Sequence, residues 1–178
     1  MEELKVGICG WGNVATGLFS ALENNADIIA SNSGAQFTVS VIGARRDNPK
    51  CDPGNTAIER DIFDVISHDI DVVVELIGGV EVARELIIKA IKNKKHVVTG
   101  NKALVANHGK ELFKLANTHS LALSYEAAVA GGIPIIKTIK NSISLDRINK
   151  IVKQVNLLEE NVKILKNEQD RKSGSAGM

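Results

Sequence analysis

The feature that most constrains this chain is a short apolar run that leads directly into a glycine turn near the N-terminus. The run covers residues 4–9 (LKVGIC) and predicts a buried parallel strand. Gly10, Gly12 and Ala15 follow at the spacing G-x-G-x-x-A, and a helical pattern begins within the turn. Strand, glycine turn and helix in this order are typical of a dinucleotide-binding unit, although a glycine turn can also be purely structural.

Each small residue of the turn has a separate physical task in such a site. Gly10 permits the tight turn, Gly12 lets a pyrophosphate approach the backbone, and Ala15 allows close packing of helix on strand. The first N–H groups of the helix then face the phosphates with a partial positive charge. The predicted pyrophosphate site therefore comprises Gly10, Trp11, Gly12, Asn13, Val14 and Ala15.

Composition excludes several other classes of protein. The 178 residues suffice for one domain with a core, 44% are apolar, and the net charge is +1. Neither a basic field for nucleic acid nor a membrane span is present, and 3% aromatics offers no platform for stacking bases. Two cysteines without metal-ligand spacing indicate no disulfide framework. Because the sequence shows neither a signal-peptide pattern nor a membrane span, we expect a cytoplasmic protein.

Alternating strand and helix patterns predict a Rossmann-type, doubly wound parallel α/β sheet with a C-terminal helix. The predicted domain covers residues 1–147, an amphipathic helix residues 148–172, and a flexible tail residues 173–178. Residues 25–35 are predicted to be mostly loop, although Ile28, Ile29 and Ala30 could extend the preceding helix and only the end is firmly a loop. The predicted strands cover residues 4–9, 37–43, 71–77, 96–99 and 121–126, and the predicted helices 13–24, 58–67, 80–93, 109–117 and 135–141.

The residues that follow the second predicted strand bear on the choice of cofactor. In this fold the position reads the adenosine ribose: an acidic residue suits the 2′-hydroxyl of NAD, and arginine suits the 2′-phosphate of NADP. Arg45 and Arg46 stand here, and Asp47 follows them. We therefore predict NADP, while NAD remains open through Asp47, and a solvated basic loop is the alternative without a ligand.

Two further strand ends are candidate contacts with a ligand. Ile77 and Gly78 follow the third strand, and ligands of open parallel sheets lie beyond such carboxyl ends. Lys102 follows the fourth strand, where an ammonium group can meet a phosphate, a nicotinamide or a substrate. A simple turn at Gly78 and a solvated loop lysine are the structural alternatives.

Four segments together resemble one enzyme family. They are GWGNVATG at residues 10–17, VELIGG at 74–79, HVVTGNKAL at 96–104 and EAAVAGGIPII at 126–136. The combination is similar to the nucleotide-binding half of homoserine dehydrogenase over about residues 4–151. The resemblance implies reversible, NAD(P)H-linked reduction of aspartate semialdehyde to homoserine, on the route to threonine and methionine.

The resemblance also implies roles for particular residues. Lys102 would sit beside the nicotinamide and the reacting carbonyl, where it could steady charge on the oxygen. Glu126, with the main-chain carbonyls of Val129, Gly131 and Ile133, matches the monovalent cation site of the family, which suits sodium. The alternative for Glu126 is a capped carboxylate at the end of a strand.

The sequence departs from the family pattern after about residue 151. The family continues into a substrate domain with an acidic ligand and a lysine proton donor, and the sequence here follows a different pattern. We therefore expect this chain to correspond to the cofactor-binding part of such an enzyme and, by itself, to show negligible turnover of homoserine. An apolar seam at 3–4 spacing, formed by Ile148, Ile151, Val155, Leu158, Val162 and Leu165, predicts a helix that docks on the sheet or pairs with a second copy. The third interpretation of this segment is a disordered remnant. The alternative function for the whole chain is a non-catalytic NADP-binding module that self-associates as a homodimer.

Overall fold

The computed structural model of the chain describes residues 1–130. The elements of this range are β1 (Glu2–Cys9), α1 (Asn13–Asn24), α2 (Ala26–Ser33), β2 (Ala35–Gly43), β3 (Ala57–Glu59), a 3-10 helix (Asp64–Ser67), β4 (Val72–Glu75), α3 (Glu81–Lys92), β5 (His96–Thr99), α4 (Lys102–Thr118), β6 (Leu123–Ser124) and α5 (Glu126–Ala130). The predicted helices over residues 135–141 and 148–172 lie outside the described residues.

The strands form one parallel sheet in the order β3-β2-β1-β4-β5-β6. This is the strand order of a dinucleotide-binding Rossmann sheet, so the predicted fold class is confirmed. Cys9 pairs with Gly43 on one side and with Glu75 on the other, and Glu75 pairs with Thr99. Four neighbouring strands therefore end level with one another. The turns that follow them are brought to one edge of the sheet.

Helices cover both faces of the sheet, and successive strand residues alternate between the two cores. Val41 and Val73 pack on one face with residues of α3 and α4, among them Leu86. The next residues along the same strands, Ile42 and Val74, pack on the other face with α1. Both faces of the central strands are buried, so these strands are apolar at almost every position rather than at every second one.

Residues 25–35, predicted to be mostly loop, contain α2. Asn25 ends α1 by donating its N–H to the Ala21 carbonyl, and its own carbonyl accepts the N–H of Ile29 in α2. Gly34 closes α2 with a φ of +78°. No residue of α2 is buried, and its adjacent isoleucines, Ile28 and Ile29, do not repeat along the segment, so the sequence shows too little helical period to predict a separate helix.

The helix predicted over residues 58–67 is wrong. A strand, β3, and a short 3-10 helix occupy this stretch. Ile58 packs in the core on the α1 side of the sheet, whereas Ile62 and Ile66 pack in the core on the opposite side. The apolar spacing that resembled one helical stripe therefore serves two different faces.

Three other boundaries also differ from the prediction. β4 ends at Glu75, which leaves Ile77 in the loop. α4 begins at Lys102 rather than near residue 109, because the Asn101 side chain caps it by accepting the N–H of Leu104 at 3.0 Å. Glu126 is the first residue of α5 rather than the end of a strand. Among residues 1–130, no helix has the length and apolarity needed to cross a bilayer.

Candidate cofactor-binding site

Gly10 makes the sharp turn at the end of β1. Its φ is +107°, and its N–H donates to the Gly43 carbonyl at 2.8 Å, which ties the turn to β2. A Cβ atom at this position would lie 2.6 Å from the carbonyl oxygen of Leu76. Both the backbone conformation and the space therefore require glycine here.

Gly12 precedes α1 and has open space around it. A Cβ atom placed on Gly12 would meet nothing within 4 Å, so the protein does not need glycine here for packing. No side chain caps α1, and its first turn carries no acidic residue. The first N–H groups of an α-helix have no partner within the helix, so this end of α1 favours an anion.

The residues around Gly12 divide between solvent and core. Asn13 and Val14 are exposed, with Val14 at 70%. Ala15 is 1% exposed and lies between α1 and the sheet, in the place of the third small residue of the fingerprint. Trp11 is 9% exposed and its ring meets that of Phe19 edge to face, with centroids 5.4 Å apart.

A cleft of about 520 Å³ opens where β1, β2 and β4 end. It brings together seven of the residues predicted from the sequence and four others. The cleft is lined by Gly10, Trp11, Gly12, Gly43, Ala44, Arg45, Arg46, Ile62, Leu76, Ile77 and Gly78. A second cavity of about 550 Å³ shares Arg45, Ile62, Ile77 and Gly78 with it and adds Arg60, Asp61, Phe63 and Val82.

Arg60 is a candidate that the sequence analysis missed. Its guanidinium donates to the Ala44 carbonyl at 3.2 Å and to the Asp47 carboxylate at 2.7 Å. It follows β3, which pairs with β2, so strand pairing brings it beside Arg45. Because residues 58–67 were interpreted as a helix, nothing in the sequence pointed to this neighbour.

Glu75 is a buried acid at the end of β4, with no exposed surface. Its carboxylate accepts the N–H of Ile77 at 3.0 Å and the hydroxyl of Thr99. Burial raises the pKa of Glu75, while hydrogen bonds from Thr99, Ile77 and Asn101 act in the opposite direction.

Cys9 is also buried at this edge, and burial, with the nearby charge of Glu75, raises its pKa to about 12. Only about one molecule in ten thousand would carry the thiolate at about pH 8, so the side chain acts as a small core residue.

We expect a thiol reagent at that pH to modify Cys51 in the folded chain, and both cysteines in urea. Equal rates for the two thiols in the folded chain would contradict this, and Cys51→Ser is the control.

Lys102, Glu126 and Val129 do not line the cleft. Lys102 is exposed at the start of α4 and lines neither cavity. Glu126 and Val129 are in α5, whereas Gly131 and Ile133 lie outside the described residues. Within residues 1–130 no group of three or more His, Cys, Asp or Glu side chains is placed to hold a metal ion.

Comparison with known proteins identifies the domain. Residues 10–126 match the family model described as "Homoserine dehydrogenase, NAD binding domain". The chain is 54% identical over 157 residues to a homoserine dehydrogenase of Pseudomonas aeruginosa and 38% identical over 160 residues to one of Neisseria gonorrhoeae. Each alignment covers 88% of this chain and 36% of the relative, so the chain spans about a third of the length of these curated relatives.

Solved structures are similar over the same part of the chain. A crystal structure of a homoserine dehydrogenase from Thiobacillus denitrificans superposes with a TM-score of 0.77 at 43% identity, covering 83% of this chain and 35% of that one. The S. aureus enzyme at pH 7.5 gives a TM-score of 0.67 at 32% identity, covering 73% of this chain and 34% of that one.

Proposed function

The chain belongs to the homoserine dehydrogenase family, and from this premise we propose that its cleft binds NADP in preference to NAD. The observation that carries the proposal is the placement of Gly12, at the uncapped start of α1, in one cleft with Arg45 and Arg46. That placement pairs a site for a pyrophosphate with a site for a further phosphate.

The residues of the cleft fit such a ligand at two points. Open space at Gly12 and the free N–H groups of α1 suit a pyrophosphate, since the backbone can be approached closely there. Two apolar side chains, Ile62 and Ile77, line both cavities. Ile62, together with Val82, which is 49% exposed, offers apolar surface for an adenine.

Charge supports NADP over NAD. Arg45 and Arg46 are exposed and line the cleft, and Arg60 borders the adjoining cavity. Asp47, the acidic residue that would suit a 2′-hydroxyl, is paired with Arg60. Guanidinium groups make paired hydrogen bonds with phosphate oxygens. A 2′-phosphate would therefore be met by Arg45 and Arg46, with Arg60 held nearby.

We extend the proposal to the reaction that the family name implies, the interconversion of aspartate semialdehyde and homoserine. The cofactor supplies or accepts the hydride. Residues of this chain bind and orient it, and Lys102 steadies charge on the carbonyl oxygen. A monovalent cation site at Glu126, Val129, Gly131 and Ile133 is supported only by the family resemblance.

The test of the proposal uses Trp11, the only tryptophan of the chain and a residue of the cleft wall. We expect saturable quenching of its fluorescence by NADPH and by NADH, with the affinity for NADPH higher by about tenfold or more, since charge-assisted hydrogen bonds contribute roughly 1.5–3 kcal/mol. Trp11→Phe should remove the signal while calorimetry still detects binding. A chain that saturates with neither dinucleotide would contradict the proposal, and tighter binding of NADH would move the selectivity to Asp47.

A further inference from the structure

Two side chains at the edge of the candidate site are unusual in their burial. Glu75 is 0% and Thr99 is 1% exposed, and they are the buried polar or charged residues of the described range, residues 1–130. They stand opposite each other at the ends of β4 and β5. The other residues of β4 are valines. A carboxylate in this place costs free energy unless its oxygens are hydrogen-bonded.

The two oxygens of Glu75 bind different loops. Oε1 accepts the N–H of Ile77, in the loop that follows β4, at 3.0 Å. Oε2 accepts the hydroxyl of Thr99, at the end of β5. The Thr99 hydroxyl oxygen in turn accepts the N–H of Asn101 at 3.1 Å. One buried carboxylate is thereby connected directly to the backbone that follows β4 and, through Thr99, to the backbone that follows β5.

Asn101 completes a closed ring of contacts. Its side-chain amide donates to the Gly79 carbonyl at 2.6 Å, which joins the loop after β5 to the loop after β4. Its side-chain oxygen caps α4 through the N–H of Leu104. The ring therefore runs from Glu75 through the loop of residues 76–79 to Asn101, and returns through Thr99.

The ring joins two parts of the proposed site. Ile77 and Gly78 line both cavities, and Lys102 is the first residue of the helix that Asn101 caps. The glycine turn proposed for the pyrophosphate and the arginines proposed for the 2′-phosphate are held by other bonds. Gly10 is tied to Gly43, and Arg60, which lies beside Arg45, is tied to Ala44. A change in the ring should thus disturb the loop of residues 76–79 and the start of α4 more than the arginines.

We propose that Glu75 is a positioning residue: through Thr99 and Asn101 it holds the loop of residues 76–79 and the start of α4 in the arrangement that receives the nicotinamide half of the dinucleotide. This proposal rests on the proposed function, because it assumes that a dinucleotide binds in the cleft. It adds a purpose for a buried acid that neither packing nor strand pairing requires.

The decisive variant is Asn101→Ser in the 178-residue chain. Serine retains a hydroxyl that can cap α4, as asparagine does, but its side chain is too short to bridge to Gly79. The variant creates no cavity in the core, since Asn101 is half-buried. Glu75→Leu and Thr99→Val break the ring at its buried members, because neither new side chain can make the hydrogen bonds of the original one. Glu85→Gln, at an exposed position of α3, is the matched control.

The measurement compares NADPH with 2′,5′-ADP, which lacks the nicotinamide half. We expect Asn101→Ser and Glu75→Leu to weaken NADPH binding about tenfold or more and 2′,5′-ADP binding less than about threefold, with Glu85→Gln unchanged for both. A role in stability alone would lower the melting temperature and leave the ratio of the two affinities unchanged.

Two results would overturn the positioning role while leaving the proposed function intact. One is NADPH affinity equal to wild type in folded Asn101→Ser and Glu75→Leu. The other is an equal loss for both ligands. A wild-type chain that binds neither NADPH nor 2′,5′-ADP would instead contradict the proposed function, and the positioning role with it.

Discussion

Replacing Gly12 with alanine is expected to weaken dinucleotide binding by about 100-fold or more, which corresponds to roughly 2.7 kcal/mol, while the fold stays intact. A Cβ atom at Gly12 meets no protein atom within 4 Å, and the backbone φ of −89° suits alanine. The added methyl group would therefore occupy only the space proposed for the pyrophosphate. Titration of Trp11 fluorescence with NADPH and urea unfolding of the same samples measure the two effects separately.

The matched control is Gly10→Ala, the same substitution made two residues before Gly12. A φ of +107° and a contact of 2.6 Å with the Leu76 carbonyl oxygen oppose a side chain there. We expect a loss of about 2–4 kcal/mol in the free energy of unfolding, since backbone strain alone costs roughly 1–3 kcal/mol. Similar stability losses for Gly10→Ala and Gly12→Ala would show that both glycines are structural.

The second large effect concerns the choice between the two cofactors. The double variant Arg45→Ala/Arg46→Ala is expected to weaken NADPH binding by about 100-fold and to change NADH binding by less than about threefold. Each guanidinium-to-phosphate hydrogen bond contributes roughly 1.5–3 kcal/mol, and only NADPH carries the 2′-phosphate. Calorimetric titration with each dinucleotide checks the prediction.

Lys50→Ala is the control for loss of positive charge, because Lys50 is exposed in the same loop but lines neither cavity. It should change both affinities only slightly, and by less as the salt concentration rises. Parallel losses of NADPH and NADH affinity in the double arginine variant would mean that these side chains support the loop rather than read the phosphate.

The first strand, glycine turn and helix could be predicted closely because their determinants are local. α1 begins and ends at the predicted residues, Asn13 and Asn24. A turn that requires glycine and an apolar helical face leave marks within a few residues of sequence. The same reasoning failed over residues 58–67, where the apolar side chains pack on two faces of the sheet.

The sequence by itself determined the Rossmann class, the position of the glycine turn between β1 and α1, and the presence of Arg45 and Arg46 beyond β2. Only the tertiary structure decided that Arg60 reaches Asp47 across 13 residues, and that Glu75 reaches Thr99 across 24. The physical reason is that the members of each pair lie at or beyond the ends of neighbouring strands, so they come into contact only when those strands pair side by side in the sheet. The order of the strands follows from burying both faces of the sheet, and no local period of the sequence records it.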